Sequence, residues 1–220
     1  MHTIESLKAH LAKHDQPGLA LDIDDTLSVT GRRWYDALKE LAGDPGMSFE
    51  EAVKTHAGRL QQLPAWKDHK GIDEWIRTTV HRGEFYLDLD VMERALERVR
   101  EVHLHIPIHA YITMRPTSVI EHTAQWLKKQ GFPDLPILAQ PAEFPLEKRY
   151  AWKAQAITQL YPEILGIVDD DPGVIDHVPT DYPGTIFFFG RDTHPRQDKR
   201  LIPCKNWDIV YESVKEWGKK

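Results

Sequence analysis

The sequence predicts an α/β fold with a Rossmann-like parallel sheet, helices on both faces of that sheet, and an inserted all-helical cap. Two observations support this class. Short apolar runs alternate with helical patterns along most of the chain, and such alternation produces a parallel sheet. Residues 29–104, however, contain helical patterns only, and this is far longer than an ordinary strand-to-helix loop. We therefore expect an α/β core formed by residues 1–28 and 105–220, and a cap formed by residues 29–104.

Each predicted element has its own local signal. Apolar runs predict five strands, and apolar residues at helical spacing predict the helices of the core. Gly131 supplies a C-terminal stop for one helix, and Pro145 suits the first turn of the next. The strands are predicted at 18–21, 106–112, 136–139, 164–168 and 185–189, and the core helices at 3–14, 116–129, 145–161 and 207–217.

The cap is predicted from four helical patterns separated by breaks. The patterns cover 34–41, 48–63, 72–81 and 91–102. Ser48 with Glu51 three residues later has the sequence of a capping box, which marks a helix start. Pro64 interrupts the pattern that follows.

Composition and charge exclude several function classes. The 220-residue chain is 41% hydrophobic and 28% charged, as in globular proteins. Its formal net charge of −6 argues against a dedicated nucleic-acid binder. A single cysteine, Cys204, excludes an intrachain disulfide. No apolar run resembles a signal peptide or a membrane span. These features predict a cytoplasmic protein with neither membrane nor dedicated nucleic-acid partners.

Three carboxylates follow the first predicted strand directly. Asp22, Asp24 and Asp25 lie within four residues of one another. Their charges repel, so each carboxylate raises the pKa of its neighbours. A bound divalent cation relieves that repulsion, and oxygen ligands suit Mg²⁺. In open α/β sheets, ligands bind just beyond the carboxyl ends of the strands. A solvated acidic turn would explain one aspartate, but it explains poorly why a buried strand ends in three.

Polar groups also follow two other predicted strands. Thr113 ends the second strand, and Asp169, Asp170 and Asp171 end the fourth. A lysine precedes the fourth strand on its helix. The carboxyl ends of parallel strands meet at one edge of the sheet. There the acids can bracket a cation, a hydroxyl and an ammonium can hold phosphoryl oxygens, and one carboxylate can attack. This set of groups is suited to phosphoryl transfer.

The motifs resemble those of the haloacid dehalogenase (HAD) superfamily. The run Asp22-Ile23-Asp24-Asp25-Thr26 is similar to its DxDx[TV] motif, Tyr111-Ile112-Thr113 to its strand ending in Thr or Ser, and Ile167-Val168-Asp169-Asp170 to its strand ending in paired acids. The motifs occur in the order that the superfamily shows, and together they span most of the chain. The helical segment lies where members of the superfamily carry their first (C1) type of cap.

The resemblance implies a role for each motif residue. Asp22 would be the nucleophile that forms an aspartyl-phosphate, and it would also bind Mg²⁺. Asp24 would protonate the leaving group and then activate water, and its backbone carbonyl would bind the metal. Thr113 would hold a phosphoryl oxygen, and Asp169 would complete the metal site. An acid at the position of Asp24 favours phosphatases and phosphomutases over the superfamily's ATPases and dehalogenases.

Two assignments remain open between neighbouring residues. Position near the start of its helix favours Lys148 over Lys153 as the phosphate-binding lysine. Asp169 is the expected direct metal ligand, and Asp170 is expected to act through water or a hydrogen bond. Asp171 precedes Pro172 and could simply cap the next turn.

Three arginines are further candidates for the site. Arg32 and Arg33 start the predicted cap, and Arg115 lies two residues after Thr113. Each could contact a charged group of a substrate, although an ordinary surface ion pair is the commoner role of such arginines.

The sequence therefore predicts a Mg²⁺-dependent hydrolase of a small phosphomonoester. A 5′-nucleotidase or phosphotransferase on the same scaffold is the alternative, and it needs cap aromatic residues facing the site, the candidates being Trp34, Trp66 and Trp75. A non-catalytic receiver-like or binding domain is a more distant alternative. Receivers carry their phosphorylated Asp on a middle strand, after an acidic pair, and the order here is the reverse.

Overall fold

The computed structural model describes residues 3–56, 60–194, 196 and 200–218. Six parallel strands form one sheet, in the order β3-β2-β1-β4-β5-β6. The strands are β1 (Gly18–Leu21), β2 (Ile108–Pro116), β3 (Ile137–Gln140), β4 (Ile164–Asp169), β5 (Thr185–Phe189) and β6 (Leu201–Cys204). This order is that of a doubly wound α/β fold, and the predicted fold class is confirmed.

Helices cover both faces of the sheet. They are α1 (Ile4–Leu11), α2 (Thr30–Ala42), α3 (Phe49–His56), α4 (Ile72–Thr79), α5 (Ala95–His105), α6 (Ile120–Gln130), α7 (Arg149–Gln159), α8 (Pro172–His177) and α9 (Trp207–Trp217). Successive strand residues point to opposite faces, so Leu19 packs with α5, α6 and α9 while Ala20 packs with α1, α7 and α8. In the described part of the chain, no helix is long and apolar enough to cross a membrane.

The path of the chain reverses beside β1. The chain builds outward from β1 through β2 to β3, then crosses back to place β4 on the other side of β1. At such a reversal the two neighbouring connections leave the sheet on opposite faces, and a crevice opens at the carboxyl ends of the strands. The acidic ends of β1 and β4 therefore lie at the position where doubly wound sheets bind ligands.

A group of helices between β1 and β2 has its own small core. Residues of α2, α3, α4 and a short 3₁₀ turn at Leu60–Gln62 pack together, and Trp66 is buried among them. The predicted capping box forms, because the Ser48 hydroxyl accepts from the Glu51 amide at 3.2 Å and Glu51 accepts from the Ser48 amide at 2.8 Å. Part of the predicted 48–63 helix, residues 57–59, lies outside the described residues.

The last helix of the segment predicted as the cap, α5, packs against the main core. The predicted cap, 29–104, includes α5, but Val99 and Val102 of α5 are buried in the main core. The helix also packs along α9. Helix α5 thus belongs to the layer that covers the sheet, because its apolar stripe faces the strands rather than the other inserted helices.

Several elements differ from the prediction. Strand β6 was not predicted, because it is short and contains Pro203, which is tolerated there since β6 lies at the sheet edge. Strand β2 continues past Thr113 to Pro116. The helix predicted from Pro145 begins as a 3₁₀ turn at Leu146–Lys148, and the α-helix starts only at Arg149.

Candidate active site

The centre of the site is an acidic cluster at the ends of β1 and β4. Leu21 pairs with Val168, so the next residues, Asp22 and Asp169, are neighbours across the two strands. Asp22, Asp169 and Asp170 each offer an oxygen within 4.8 Å of the others. The side chains of Asp22 and Asp169 are 5% and 1% exposed. Residues nearly 150 positions apart in sequence thus form one buried anionic group.

Lys153, and not Lys148, provides the cation at this cluster, which corrects the preference for Lys148. The ammonium of Lys153 is fully buried, donates to Asp22 and lies 2.7 Å from Asp169. Lys148 is exposed at the N-cap position of α7, where its side chain makes no capping hydrogen bond. The reason is the later start of the α-helix, because Lys153 then falls on the turn that faces the sheet, whereas Lys148 precedes the helix.

Asp24 is held by a different cation, Arg115. The Arg115 guanidinium donates to both carboxylate oxygens of Asp24, from Nε at 3.0 and 3.1 Å and from Nη2 at 2.7 Å. The Thr30 hydroxyl also donates to Asp24, at 2.6 Å. Arg115 is 2% exposed and lies over the Tyr86 ring. Such a bidentate pair fixes both the position and the rotation of the carboxylate.

The two cations act differently on the carboxyl groups. Burial raises the pKa of Asp22 to about 8. The charge of Lys153 opposes this rise, and the charges of Asp169 and Asp24 add to it. Burial alone would raise the pKa of Asp24, but the charge and hydrogen bonds of Arg115, helped by Thr30, lower it below the ordinary value. Asp24 is therefore ionised in the resting protein, whereas Asp22 has lost much of the stabilisation that water gives an ionised carboxylate.

Asp25 supports the turn after β1. It has a left-handed φ of 57°, which aspartate tolerates better than most residues, and its side chain accepts from the Gly31 amide at 2.7 Å. A Cβ on Gly31 would lie 2.8 Å from the Asp25 carboxylate, so a side chain at this position would displace that carboxylate. Burial raises the pKa of Asp25 to about 7, against the hydrogen bond from Gly31.

The cluster fits a Mg²⁺ ion. Its donors are carboxylate oxygens, which Mg²⁺ prefers, and their spacing covers the separations of ligands bonded at about 2.1 Å. Burial and the neighbouring acids Asp25 and Asp22 raise the pKa of Asp170 well above its ordinary value. A dication would relieve this repulsion. Asp22, Asp169 and Asp170 are the residues whose side chains would hold it, and the backbone carbonyl of Asp24 remains an expected further ligand.

The remaining predicted motif residues have defined positions. Thr113 is fully buried on β2, and its hydroxyl accepts from the Arg115 amide at 3.1 Å. Asp171 caps α8 by accepting from the Gly173 amide at 2.7 Å, so the capping interpretation is confirmed. Asp170 accepts from the Thr26 hydroxyl at 3.3 Å.

Two cavities flank Asp25 and separate the sheet edge from the helical group. The larger, about 750 Å³, is lined by Asp170 and Asp171 and by α3. The smaller, about 270 Å³, is lined by Asp24, Arg115 and residues of α2 and α4. Arg149, the first residue of α7, lines both cavities and forms no ion pair with a carboxylate among the described residues.

The other candidates lie away from the acidic cluster or only beside it. Arg32 pairs with Glu50, and Arg33 lies over the Phe85 ring, 5.3 Å from its centroid. Trp66 is buried in the helical group and donates to the Gly43 carbonyl. Trp34 lines the smaller cavity, and Trp75 packs edge-on against Trp34.

The sequence named Arg115 as a candidate without identifying its partner, and it did not single out Arg149. A signal for Arg115 exists, because residues two apart on a strand share a face and β2 continues past it. Arg149 shows no such pattern in the sequence. Its importance comes only from its lack of a carboxylate partner within the described ranges and from its position between two cavities.

Comparisons with known proteins show similarity of structure only. No protein-family model matches the sequence, and no curated protein matches it. Solved structures do match. Protein tyrosine kinase A of Mycobacterium tuberculosis has 14% sequence identity and a TM-score of 0.59, and the match covers 91% of this chain and 99% of that chain. A HAD hydrolase of family IA, variant 3, from Entamoeba histolytica has 13% identity and a TM-score of 0.53, with 93% of this chain and 100% of that chain covered. A HAD-superfamily hydrolase of subfamily IA, variant 1, from Geobacter sulfurreducens has 12% identity and a TM-score of 0.52, with 90% of this chain and 96% of that chain covered. With its parallel sheet and its acidic strand ends, the chain has the fold seen in HAD-superfamily hydrolases.

Proposed function

We propose that the protein is a HAD-type phosphatase that hydrolyses a small phosphomonoester with the help of Mg²⁺. The observation that carries this proposal is the cluster of buried Asp22 and Asp169 with half-buried Asp170, with Lys153 beside it at the reversal of the sheet. A structural salt bridge would balance its charges, but here one ammonium pairs with Asp22 and Asp169, and a third carboxylate, Asp170, lies beside them. The excess negative charge suits a dication, and the ammonium suits a phosphoryl oxygen.

Asp22 is the proposed nucleophile. One of its carboxylate oxygens attacks phosphorus, the bond from phosphorus to the ester oxygen breaks, and the protonated form of Asp24 donates its proton to the departing oxygen, so the product leaves as an alcohol. Water then attacks the aspartyl-phosphate, which releases phosphate and restores the carboxylate. Mg²⁺, when bound, would supply charge neutralisation for the phosphoryl group. Lys153 orients Asp22 through its hydrogen bond, and Thr113 is the expected partner of a phosphoryl oxygen.

Asp24 is the proposed proton carrier, and Arg115 positions it. The pair with Arg115 keeps Asp24 ionised, which is the form that accepts a proton from the attacking water. The same pair lowers the fraction of Asp24 that is protonated, so it favours the hydrolytic step over proton donation to the alcohol. Arg115 therefore contributes by holding the carboxylate, without itself contacting the reacting atoms.

We propose that the helical group acts as a cap. Both cavities are lined by sheet-edge residues on one side and by its helices on the other. A cap over the site limits access to small substrates and excludes water from it. The receiver-like alternative is disfavoured by the strand order, since receivers such as CheY follow a flavodoxin-like order, 2-1-3-4-5, and this sheet has β1 beside β4.

The test is hydrolysis of a panel of phosphomonoesters with Mg²⁺ and with EDTA. We expect Mg²⁺-dependent release of phosphate by the wild type and a loss of at least about 10³-fold in Asp22→Asn, because a neutral amide is a poor nucleophile. Asp73→Asn, at an exposed position on α4, is the matched control and should keep full activity. Undiminished activity in Asp22→Asn would contradict the nucleophile assignment.

A further inference from the structure

We infer that the smaller cavity binds the alcohol part of the ester, and that it selects a ring-bearing alcohol whose ring donates a hydrogen bond to Gln140. This inference rests on the proposed function, because it takes Asp24 as the group beside the leaving oxygen. It adds the chemical class of the substrate, which the acidic cluster does not determine.

Asp24 decides between the two cavities. It lines the smaller cavity but not the larger one, whereas Asp170 and Asp171 line only the larger. The proton carrier must lie beside the oxygen of the leaving alcohol. The alcohol therefore occupies the smaller cavity. The larger cavity lies beside Asp170 and Asp171, the acids that follow β4.

The walls of the smaller cavity suit a ring. Trp34 and Tyr86 come from the segment between β1 and β2, and Phe144 comes from the loop after β3. Leu38 and Ile76 add aliphatic surface from α2 and α4. The volume of about 270 Å³ is near the lower end of small-molecule sites, so it fits one ring system rather than a polymer. Aromatic walls contribute most when a flat group packs against them.

Gln140 gives the cavity one unmatched polar group. It lies at the end of β3, is 2% exposed and lines the cavity. Its Nε2 donates to the Phe144 carbonyl at 3.3 Å, and this bond fixes which amide atom is which. Its Oε1 accepts no hydrogen bond from any residue in the described part of the chain. Buried polar atoms normally have partners, and an N–H or O–H of the bound ring would supply this one.

Three polar residues of the cavity, Thr30, Tyr86 and Arg115, are already engaged. Arg115 and Thr30 are bonded to Asp24, and the Tyr86 hydroxyl donates to the Val80 carbonyl at 3.3 Å. Among the described residues that line the cavity, Gln140 contributes the buried side-chain acceptor atom that has no hydrogen-bond partner. A site that hydrogen-bonds a substrate N–H discriminates strongly against an analogue without it, because the buried acceptor is then left unpaired.

The experiment compares nucleotides that differ by one donor. Uridine and 3-methyluridine 5′-monophosphate form one pair, inosine and 1-methylinosine 5′-monophosphate form another, and ribose 5-phosphate lacks the base. We expect kcat/KM of the wild type to be about 10-fold higher for the donor-bearing member of at least one pair. Both members of that pair should exceed ribose 5-phosphate. Gln140→Leu should abolish the difference, whereas Gln155→Leu, at an exposed position on α7, should retain it.

A second variant and a binding measurement keep the test decisive. Trp34→Leu should reduce the advantage of the nucleotides over ribose 5-phosphate, and Trp75→Leu, which alters a cap ring outside the cavity lining, should preserve that advantage. Calorimetric binding of the free nucleosides should show the same dependence on Gln140. Hydrolysis without any ring or donor preference, or a preference that persists in Gln140→Leu, overturns the inference. Gln140-dependent nucleoside binding without hydrolysis of any ester would support the cavity assignment and overturn the phosphatase proposal.

Discussion

Replacing Lys153 by methionine should destabilise the protein strongly, and the loss should be largest without a divalent cation. The Lys153 ammonium is 0% exposed, and its two partner carboxylates are 5% and 1% exposed, so solvent screens these ion pairs very little. Removing one partner of a buried ion pair costs about 3–5 kcal/mol, because the remaining charge stays buried without compensation. In a chain of this size, that loss corresponds to a Tm lower by about 6–20 °C.

The assay is urea unfolding followed by far-UV circular dichroism, in EDTA and in Mg²⁺. We expect the free energy of unfolding of Lys153→Met to fall by about 3–5 kcal/mol in EDTA, with part of the loss restored by Mg²⁺. The ion compensates the same carboxylates and binds only the folded state. Lys148→Met is the matched control, and at its exposed position the change should stay within about 0.5 kcal/mol.

Two results would refute this reasoning. A loss below about 1 kcal/mol in Lys153→Met would show that the buried carboxylates do not depend on the ammonium. Equal losses in Lys153→Met and Lys148→Met would show that the position on α7 does not matter. Either result would contradict the assignment of Lys153 as the cation of the acidic cluster and would favour Lys148, as the sequence predicted.

Three further predictions concern pH, Arg115 and Asp171. Burial raises the pKa of Asp22 to about 8 and that of Asp25 to about 7. Protonation of these two groups thus favours the folded state. In EDTA the urea midpoint should therefore fall as pH rises from 4 to 8, and Mg²⁺ should reduce the fall. A midpoint that rises over this range would contradict the raised pKa values. Arg115→Met should lower the free energy of unfolding in urea by about 2–4 kcal/mol, less than for a fully buried pair because Asp24 is 30% exposed. Arg115→Lys should recover only part of kcat, since lysine lacks the bidentate fork. Full recovery of kcat would show that charge alone suffices. Asp171→Ala should cost about 1 kcal/mol of unfolding free energy through loss of the α8 cap, and no change would show that the cap bond is not stabilising.

The elements that were predicted well are those whose signal is local. Strand β5 was predicted with its observed bounds, and Gly131 ends α6 in the expected left-handed conformation. Apolar runs and capping residues act over a few neighbours, so the sequence displays them directly. Strand β6 shows the opposite case, because pairing at the sheet edge, and not its own composition, makes Leu201–Cys204 a strand.

The sequence by itself determined the types of chemical groups at the strand ends. The apolar run before Asp22 and the one before Asp169 each end at a carboxylate, and parallel strands bring such ends to one edge. That inference needs only the alternation of strands and helices. It was enough to predict the α/β class and the acidic site.

The tertiary structure alone decided which cations serve those acids. Lys148 and Lys153 are five residues apart, which is about 140° around an α-helix, so only one can face the sheet. The 3₁₀ turn that precedes Arg149 selects Lys153. Arg115 contacts Asp24 because β2 continues beyond Thr113, which places the buried guanidinium over the Tyr86 ring. Such contacts depend on the exact start and end of elements, which neighbouring residues in sequence do not encode.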